Sequence, residues 1–185
     1  MALISQSDLE TRLGRSLTSE ETSAFDGINN ALQAEIERRI GSSLESVSLS
    51  TRYYDGGIQN LAIDPCTSIS SVKYVNDSDV EESTVDTTDY IAEPRNRTLK
   101  RWLRTRYTRF QRAYNNVAVN AKFSIWEDTA MRAEIKNLML ESLVSEYNDN
   151  EDVIKESIEG YSVEYASAQT KANLNKISSL FPEII

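Results

Sequence analysis

The residues from Val117 to Tyr147 constrain the fold more than any other part of the chain. Apolar residues occupy every second position from Val117 to Ile125, which is the pattern of a strand with one buried face. Beyond Trp126 the apolar spacing becomes that of an amphipathic helix, and Asp128 is its predicted N-cap. The apolar face of this helix contains Met131, Ile135, Leu138, Met139, Leu143 and Tyr147. The pattern predicts a long strand that leads into a long core helix.

Two more helices are predicted near the N-terminus. Ser5 is placed to open a capping box, and Gly14 to end a short helix. Thr18 and Glu21 form a stronger capping box, and we expect them to open a long helix over residues 19–41. The apolar stripe of that helix contains Phe25, Ile28, Leu32, Ile36 and Ile40.

The residues between these helices are typical of short strands and turns. Asp55-Gly56-Gly57 separates two strand-like runs, so we expect a hairpin there. The run over residues 76–89 is acidic and has few apolar positions, which indicates a solvated loop.

The predicted fold class is α+β, with helices segregated from an antiparallel sheet. Its helical core has long helices near 19–41 and 129–148, its antiparallel β part is small and covers about 49–125, and an arm follows at the C-terminus. We expect residues 1–153 to form the main domain, and residues 154–185 to form an extended segment, a helix and a tail.

Composition excludes several kinds of chemistry. The 185 residues contain no histidine, which removes Ser/His and Cys/His nucleophiles and the commonest transition-metal ligand. The one cysteine, Cys66, follows Pro65 in an apolar stretch and is predicted to be a small buried side chain. No apolar run approaches the roughly 20 residues that cross a bilayer, and the N-terminus does not resemble a secretory signal. We therefore expect no catalytic residue, no cofactor, no metal, no membrane contact, and synthesis in the cytoplasm.

Charge is distributed unevenly along the chain. The net charge is −9, yet residues 95–112 contain eight cations and no anion. The cations are Arg95, Arg97, Lys100, Arg101, Arg104, Arg106, Arg109 and Arg112. Three interpretations are open. The arginine stems pack over Trp102, Tyr107 and Phe110, or the stretch contacts phosphates and bases, or it pairs with acidic protein surface.

Three stretches and their order along the chain carry the most specific signal. The first is Arg52–Gly56 (RYYDG), which is followed by the strand-like run Ser71–Val75 (SVKYV). The second is Val117–Phe123 (VAVNAKF), which leads into the long helix, and the third is Glu156–Tyr165 (ESIEGYSVEY), which precedes the terminal helix. Taken together, they resemble the head-tail connector proteins of tailed bacteriophages, also called adaptor or head-completion proteins. The resemblance covers nearly the whole chain.

The resemblance implies a structural protein located in the neck of a virion. Members of this family form a ring, commonly of twelve subunits, that docks beneath the portal of a DNA-filled capsid and extends its channel toward the tail. The implied partners are further copies of the chain, the portal protein and a downstream neck or tail protein. Genomic DNA is expected to pass through the lumen without sequence-specific binding. No reaction and no cofactor are implied.

An apolar arm at the C-terminus is the first candidate contact surface. Its residues are Leu174, Ile177, Leu180, Phe181, Ile184 and Ile185. We expect the arm to bind the portal by inserting into a groove and ordering there, although a groove of a neighbouring subunit is also open. The alternative is that the arm folds back on its own domain.

The second candidate contact surface lies in the basic stretch. Arg101, Arg104, Arg106 and Arg109 are the predicted contacts with a neighbouring subunit or another protein partner. Each neutralised phosphate adds affinity, so tight phosphate binding would hinder DNA that must slide through a channel. Contact with protein is therefore favoured over contact with DNA.

Three other functions compete with the adaptor. A tail-completion or stopper protein would share the ring but face the other partner. A carboxylate-dependent enzyme acting on nucleic acid would need a concave site with convergent carboxylates of perturbed pKa. A free DNA-binding regulator would need the basic stretch on an exposed recognition helix.

Overall fold

The computed structural model describes residues 3–76, 78, 80–149 and 168–181. The helices there are α1 (Gln6–Leu13), α2 (Ser19–Ile40), α3 (Thr129–Asp149) and α4 (Ala168–Leu180). The strands are β1 (Ser50–Tyr54), β2 (Asn60–Cys66), β3 (Ser68–Val75), β4 (Glu81–Thr84), β5 (Tyr90–Glu93), β6 (Lys100–Thr105) and β7 (Val117–Lys122). The chain divides into two compact units. The helical unit is described over residues 3–40, 133–149 and 168–181, and the sheet unit over residues 41–76, 78 and 80–132.

The predicted fold class, a helical core with a small β part, is wrong. In the described ranges, seven strands form two antiparallel sheets, and the strands enclose an apolar core of their own between residues 61 and 123. The two long helices do lie where their periodicity placed them, at Ser19–Ile40 and Thr129–Asp149. The size of the β part was missed because three of its pairings, β1 with β7, β3 with β7 and β2 with β6, join strands far apart in sequence, and no local pattern indicates them. The predicted domain boundary at residues 153–154 lies outside the described residues.

β7 is central to the larger sheet. The strand orders are β1-β7-β3-β4 and β2-β6-β5, and Val119 of β7 lies between Arg52 of β1 and Val72 of β3. The predicted strand is confirmed, although it ends at Lys122. Alternate residues of β7 enter the core, and on the opposite face Ala118 is also buried. The core contains Leu61, Ile63, Cys66, Val72, Val85, Tyr90, Leu103, Phe110, Val117, Val119, Ala121 and Phe123.

Two local predictions in the sheet unit are wrong. β1 pairs with β7 and β2 pairs with β6, so residues 55–57 connect strands of different sheets and do not form a hairpin turn. The amides of this turn bond instead to the loop that precedes β7. The acidic run is not only a loop, because Glu81–Thr84 forms β4 and pairs with β3. All four residues of β4 are exposed, so the strand has no buried face and leaves no alternating pattern in the sequence.

The helix starts follow the predicted capping. Ser5 and Asp8 complete the capping box of α1, and Gly14 is the C-cap. Thr18 and Glu21 bond reciprocally at the start of α2: the Thr18 amide donates to Glu21 Oε2 at 2.8 Å, and the Glu21 amide to Thr18 Oγ1 at 3.2 Å. The buried residues on the apolar face of α3 are Ile135, Leu138, Met139, Leu143 and Tyr147. The predicted apolar face of α3 is therefore confirmed, except that Met131 is only half-buried.

α4 is held in the helical unit by polar contacts to α3. Asn173 Nδ2 donates to the Leu138 carbonyl at 3.2 Å and to Ser142 Oγ at 3.1 Å. The Thr170 hydroxyl donates to Glu146 Oε1 at 2.8 Å. Ser142 interrupts the apolar face of α3, and these bonds explain why a polar residue is accommodated there.

Candidate interaction surfaces

The structure divides the four predicted contact arginines into two pairs. Arg101 and Arg104 lie on β6 and are half-buried, and Arg104 Nη2 lies 2.7 Å from Glu93 Oε1 on the neighbouring strand. Burial lowers the pKa of Arg101. Arg106 and Arg109 follow β6, are exposed, and have no ion pair within the described part of the chain. Only the second pair offers its charge to a partner without breaking an existing contact.

The exposed pair belongs to residues 106–115, which we name the arginine loop. Arg112 is also exposed on it, as are the rings of Tyr107 and Tyr114, whose residues are 82% and 78% exposed. Phe110 is 1% exposed and belongs to the apolar core of the sheet unit. The loop therefore presents three cations and two aromatic rings around one buried anchor.

Backbone amides of residues 55–57 hold the loop in place. The Gly56 amide donates to the Ala113 carbonyl at 3.1 Å, and the Gly57 amide donates to the Phe110 carbonyl at 3.0 Å. Gly57 has φ of 93°, in the left-handed region that glycine adopts at little cost. These bonds hold the backbone at the buried anchor and three residues after it.

Side chains and a close backbone approach fix the same loop further. Asp55 Oδ1 accepts from the Asn115 amide at 2.8 Å. Asn116 bridges the two segments, since its Oδ1 accepts from the Gly56 amide and its Nδ2 donates to the Gln111 carbonyl, both at 3.0 Å. A Cβ on Gly56 would lie 1.8 Å from the Gln111 carbonyl oxygen, so only glycine fits there. The Asp-Gly-Gly sequence is thus the support of the arginine loop.

The start of the RYYDG stretch is also structural. Arg52 Nη1 lies 2.7 Å from Asp64 Oδ2, and its guanidinium lies 4.2 Å from the centre of the Phe123 ring. The Tyr54 hydroxyl donates to the same Asp64 oxygen at 3.0 Å, and burial raises the pKa of Tyr54. These contacts join β1 to β2 and to the end of β7.

An apolar groove of about 590 Å³ opens in the helical unit among α2, α3 and α4. Ile28 and Leu32 lie in it and are only half-buried, so the stripe predicted for α2 is buried only in part. The charges on its α2 side are mutually paired, because Glu35 accepts from Arg38 Nε at 2.8 Å and from Arg39 Nε at 2.6 Å. The bonds from Arg38 and then Arg39 lower the pKa of Glu35 to about 2.

Half of the predicted arm is buried. Leu174, Ile177 and Phe181 are 7%, 1% and 8% exposed, whereas Leu180 is half-buried. Residues 184–185 lie outside the described residues. A buried side chain cannot meet a partner unless it moves, so the burial of these three favours the fold-back alternative for α4. Binding of the arm to a portal stays a prediction.

The described residues offer no metal site and no reactive thiol. No group of three or more acidic or cysteine side chains lies close enough in that part to hold a metal ion. Cys66 is buried as predicted, and burial raises its pKa to about 12, so the thiol stays protonated near neutral pH. Among the described helices, none is long and apolar enough to cross a membrane.

The fold is similar to that of chains in solved particle structures. One is a chain from the neck of an empty gene transfer agent (GTA) particle computed with C6 symmetry. It is 13% identical, has a TM-score of 0.54, and the match covers 95% of this chain and 88% of that one. Another, from the virion of a native GTA particle, is 16% identical, with a TM-score of 0.49 and coverage of 99% and 91%. No family model and no curated protein matches the sequence. The first likeness confirms, at the level of the fold, the resemblance to a neck protein that the three stretches indicated.

Sequence reasoning missed part of the exposed surface. One interpretation of the basic stretch places Tyr107 beneath arginine stems, but Tyr107 is the more exposed of the two loop tyrosines, and of the three aromatic residues in that interpretation only Phe110 is a core residue. The contacts predicted from the sequence do not include Arg112 or Tyr114. The available signal was the alternation of arginine and aromatic residues over 106–114, which does not say which ring is the anchor.

Proposed function

We propose that this chain is a structural protein of the neck of a phage or phage-like particle, where copies of it form a closed ring between head and tail. The observation that carries the proposal is the likeness in fold to a neck chain over 95% of this chain and 88% of that one. Fold alone does not determine function, so the proposal also rests on the exposed surface of the arginine loop. The exposed arginine loop, rigidly supported by the sheet unit, suits a contact with another protein.

A ring of identical copies would match the rotational symmetry of the junction between head and tail. The GTA neck was computed with C6 symmetry, and a six-fold axis accommodates six or twelve copies. We propose twelve, the number that the family resemblance implies. Copies in a ring contact each other through two different patches, so each subunit must present complementary surfaces.

In the adaptor role, the ring binds the portal on one side and a downstream neck or tail protein on the other. The net charge of −9 per copy makes the ring acidic, and an acidic lumen would repel DNA and leave it mobile. The arginines of the loop then meet protein, as their pairing chemistry with carboxylates favours. The portal contact is assigned to the end of the arm, where Ile184 and Ile185 follow the buried part of α4.

Electron microscopy of the purified protein mixed with its portal tests the proposal. We expect a closed ring on the narrow end of the portal. Deletion of residues 182–185 is expected to reduce attachment to portal rings, whereas Leu49→Ser, a change at an exposed apolar residue of the sheet unit, should leave attachment unchanged. Unchanged attachment of the deletion variant would remove the arm from the proposal. A ring that binds only the tail-side partner would identify a stopper or tail-completion protein.

A further inference from the structure

The arginine loop has a charge opposite to that of the rest of the chain. Arg106, Arg109 and Arg112 add +3, so the remainder of each copy carries −12 (−9 less +3). Part of that negative charge is on the sheet unit itself, where β4 exposes Glu82 along an edge of the larger sheet, beside Glu81, which is paired with Lys73 Nζ at 2.6 Å. A second copy therefore offers the loop an acidic surface.

The loop also has the side chains that dominate protein interfaces. Tyrosine and arginine are enriched among the residues that contribute most binding energy, and lysine and glutamate are depleted. Tyr107 and Tyr114 are each more than three-quarters exposed, although aromatic rings of this size are mostly buried in a free subunit. Rings left in water in this way gain from being covered by a partner.

The loop is ordered before any partner arrives. Its buried Phe110 and its bonds to residues 55–57 fix the backbone, so binding would immobilise only the exposed side chains. A preformed contact surface loses less conformational entropy on association than a flexible one.

We infer that the arginine loop of one copy docks on an acidic surface of a second copy of this chain, and that this contact closes the ring. The inference rests on the proposed function, since it requires a ring. Double-stranded DNA is the less suitable partner, because each neutralised phosphate adds affinity and would hinder DNA that must move through the lumen. An acidic surface on the neighbouring copy has the opposite charge to the loop, and this pairing is repeated at each contact around the ring.

Charge reversal tests the inference. The double variant R106E/R109E should raise the protein concentration needed for half-maximal ring formation by about tenfold or more, as for the loss of 1.4 kcal/mol or more per contact. R95E/R97E is the matched control: both arginines are exposed on the sheet unit, and the change in charge is identical. The control should assemble like the wild type. Mass photometry over a protein and salt series gives the readout, and higher salt should weaken wild-type rings.

A second variant separates the contribution of the tyrosine side chains from that of the arginine charges. Tyr107→Ser combined with Tyr114→Ser leaves the net charge unchanged and should also raise the assembly concentration, with less dependence on salt. If R106E/R109E forms rings at the wild-type concentration, the inference is overturned and the proposed function stands. The inference would also be overturned if R106E/R109E bound double-stranded DNA less well than the wild type while its ring formation was unchanged. A wild-type protein that stays monomeric alone and with its portal would overturn the proposed function as well.

Discussion

The sheet unit and the helical unit bury their interiors in different ways. In the sheet unit, twelve residues form one apolar cluster: nine lie in five of the strands, Phe110 lies in the arginine loop, and Val85 and Phe123 directly follow β4 and β7. In the helical unit, apolar residues such as Leu9, Ile36 and Leu143 are also fully buried, but Asn29, Thr170 and Asn173 are buried with them, and α4 is attached partly by amide and hydroxyl bonds. Water can replace such bonds at a small net cost, whereas it cannot replace apolar contacts. Under the proposed function, we therefore expect the sheet unit to be the firm support of the exposed arginine loop, and α4 to be the element that rearranges when a partner binds.

The largest expected effect comes from a cavity in the sheet unit. Leu103 is fully buried, so Leu103→Ala should lower the free energy of unfolding by about 3–5 kcal/mol. Leu174→Ala is the comparison in the helical unit, and it should cost about 2 kcal/mol, because Leu174 lines the open groove and its loss extends a space that already exists. Urea unfolding measures both values. Equal losses of unfolding free energy in the two variants would contradict the stated difference in packing between the two units.

A methyl group at the support of the arginine loop is the next test. Gly56→Ala places a Cβ 1.8 Å from the Gln111 carbonyl oxygen and should cost about 1–3 kcal/mol while displacing the loop. Gly27→Ala is the control, since nothing lies within 4 Å of its Cβ position in α2, and it should stabilise by about 0.5–1 kcal/mol. In thermal unfolding, the midpoint should fall for Gly56→Ala and rise for Gly27→Ala. Loss of ring formation by Gly56→Ala at a temperature where it stays folded would tie the position of the loop to assembly.

The polar attachment of α4 is expected to have a smaller effect. Asn173→Ala removes two bonds to α3 and should lower the free energy of unfolding by about 1–2 kcal/mol. Lys176→Ala, at an exposed position of the same helix, should change it by under about 0.5 kcal/mol. Hydrogen exchange should show faster exchange in α4 of the first variant while β7 is unaffected. Equally faster exchange in β7 would show that α4 does not open separately.

The smallest effect is a pH dependence at the start of α2. Two bonds from the Arg15 guanidinium, at 2.7 and 2.8 Å, are the main reason that the pKa of Glu21 is lowered from 4.5 to about 2. Because this pKa is depressed on folding, the contribution of Glu21 to stability is complete above about pH 4.5 and declines as the pH falls toward 2.

Glu21→Gln should remove this part of the acid sensitivity. Its urea midpoint should fall less than that of the wild type between about pH 6 and about pH 3. Glu20→Gln, at an exposed neighbour, should keep the wild-type slope. Identical slopes for all three proteins would show that the Arg15 pair does not contribute to stability in this range.

Local features were predictable from the sequence, and long-range ones were not. The Ser5, Thr18 and Asp128 caps were predicted because a cap involves residues only three apart, and all three form. The pairing of β1 with β7 joins residues more than sixty positions apart, and the sequence between them carries no mark of it. Gly56 illustrates the same limit, since its role is set by Gln111 and not by its neighbours.

The same distinction between local and long-range features applies to the candidate surfaces. Exposure of Arg106 and Arg109 agrees with their place in an arginine-rich run, but the capture of Arg104 by Glu93 depends on the register of β5 with β6. The apolar character of the arm was visible in the sequence. Its burial was not, because the polar bonds that seat α4 are made with α3, about thirty residues earlier.

A cryo-electron microscopy map of the particle that carries this protein tests the central claim most directly. The account predicts a closed ring of this chain between head and tail, with the arginine loop of each copy against the next copy. A map in which the chain is absent from the neck, or is present as a single copy that contacts no other, would contradict it.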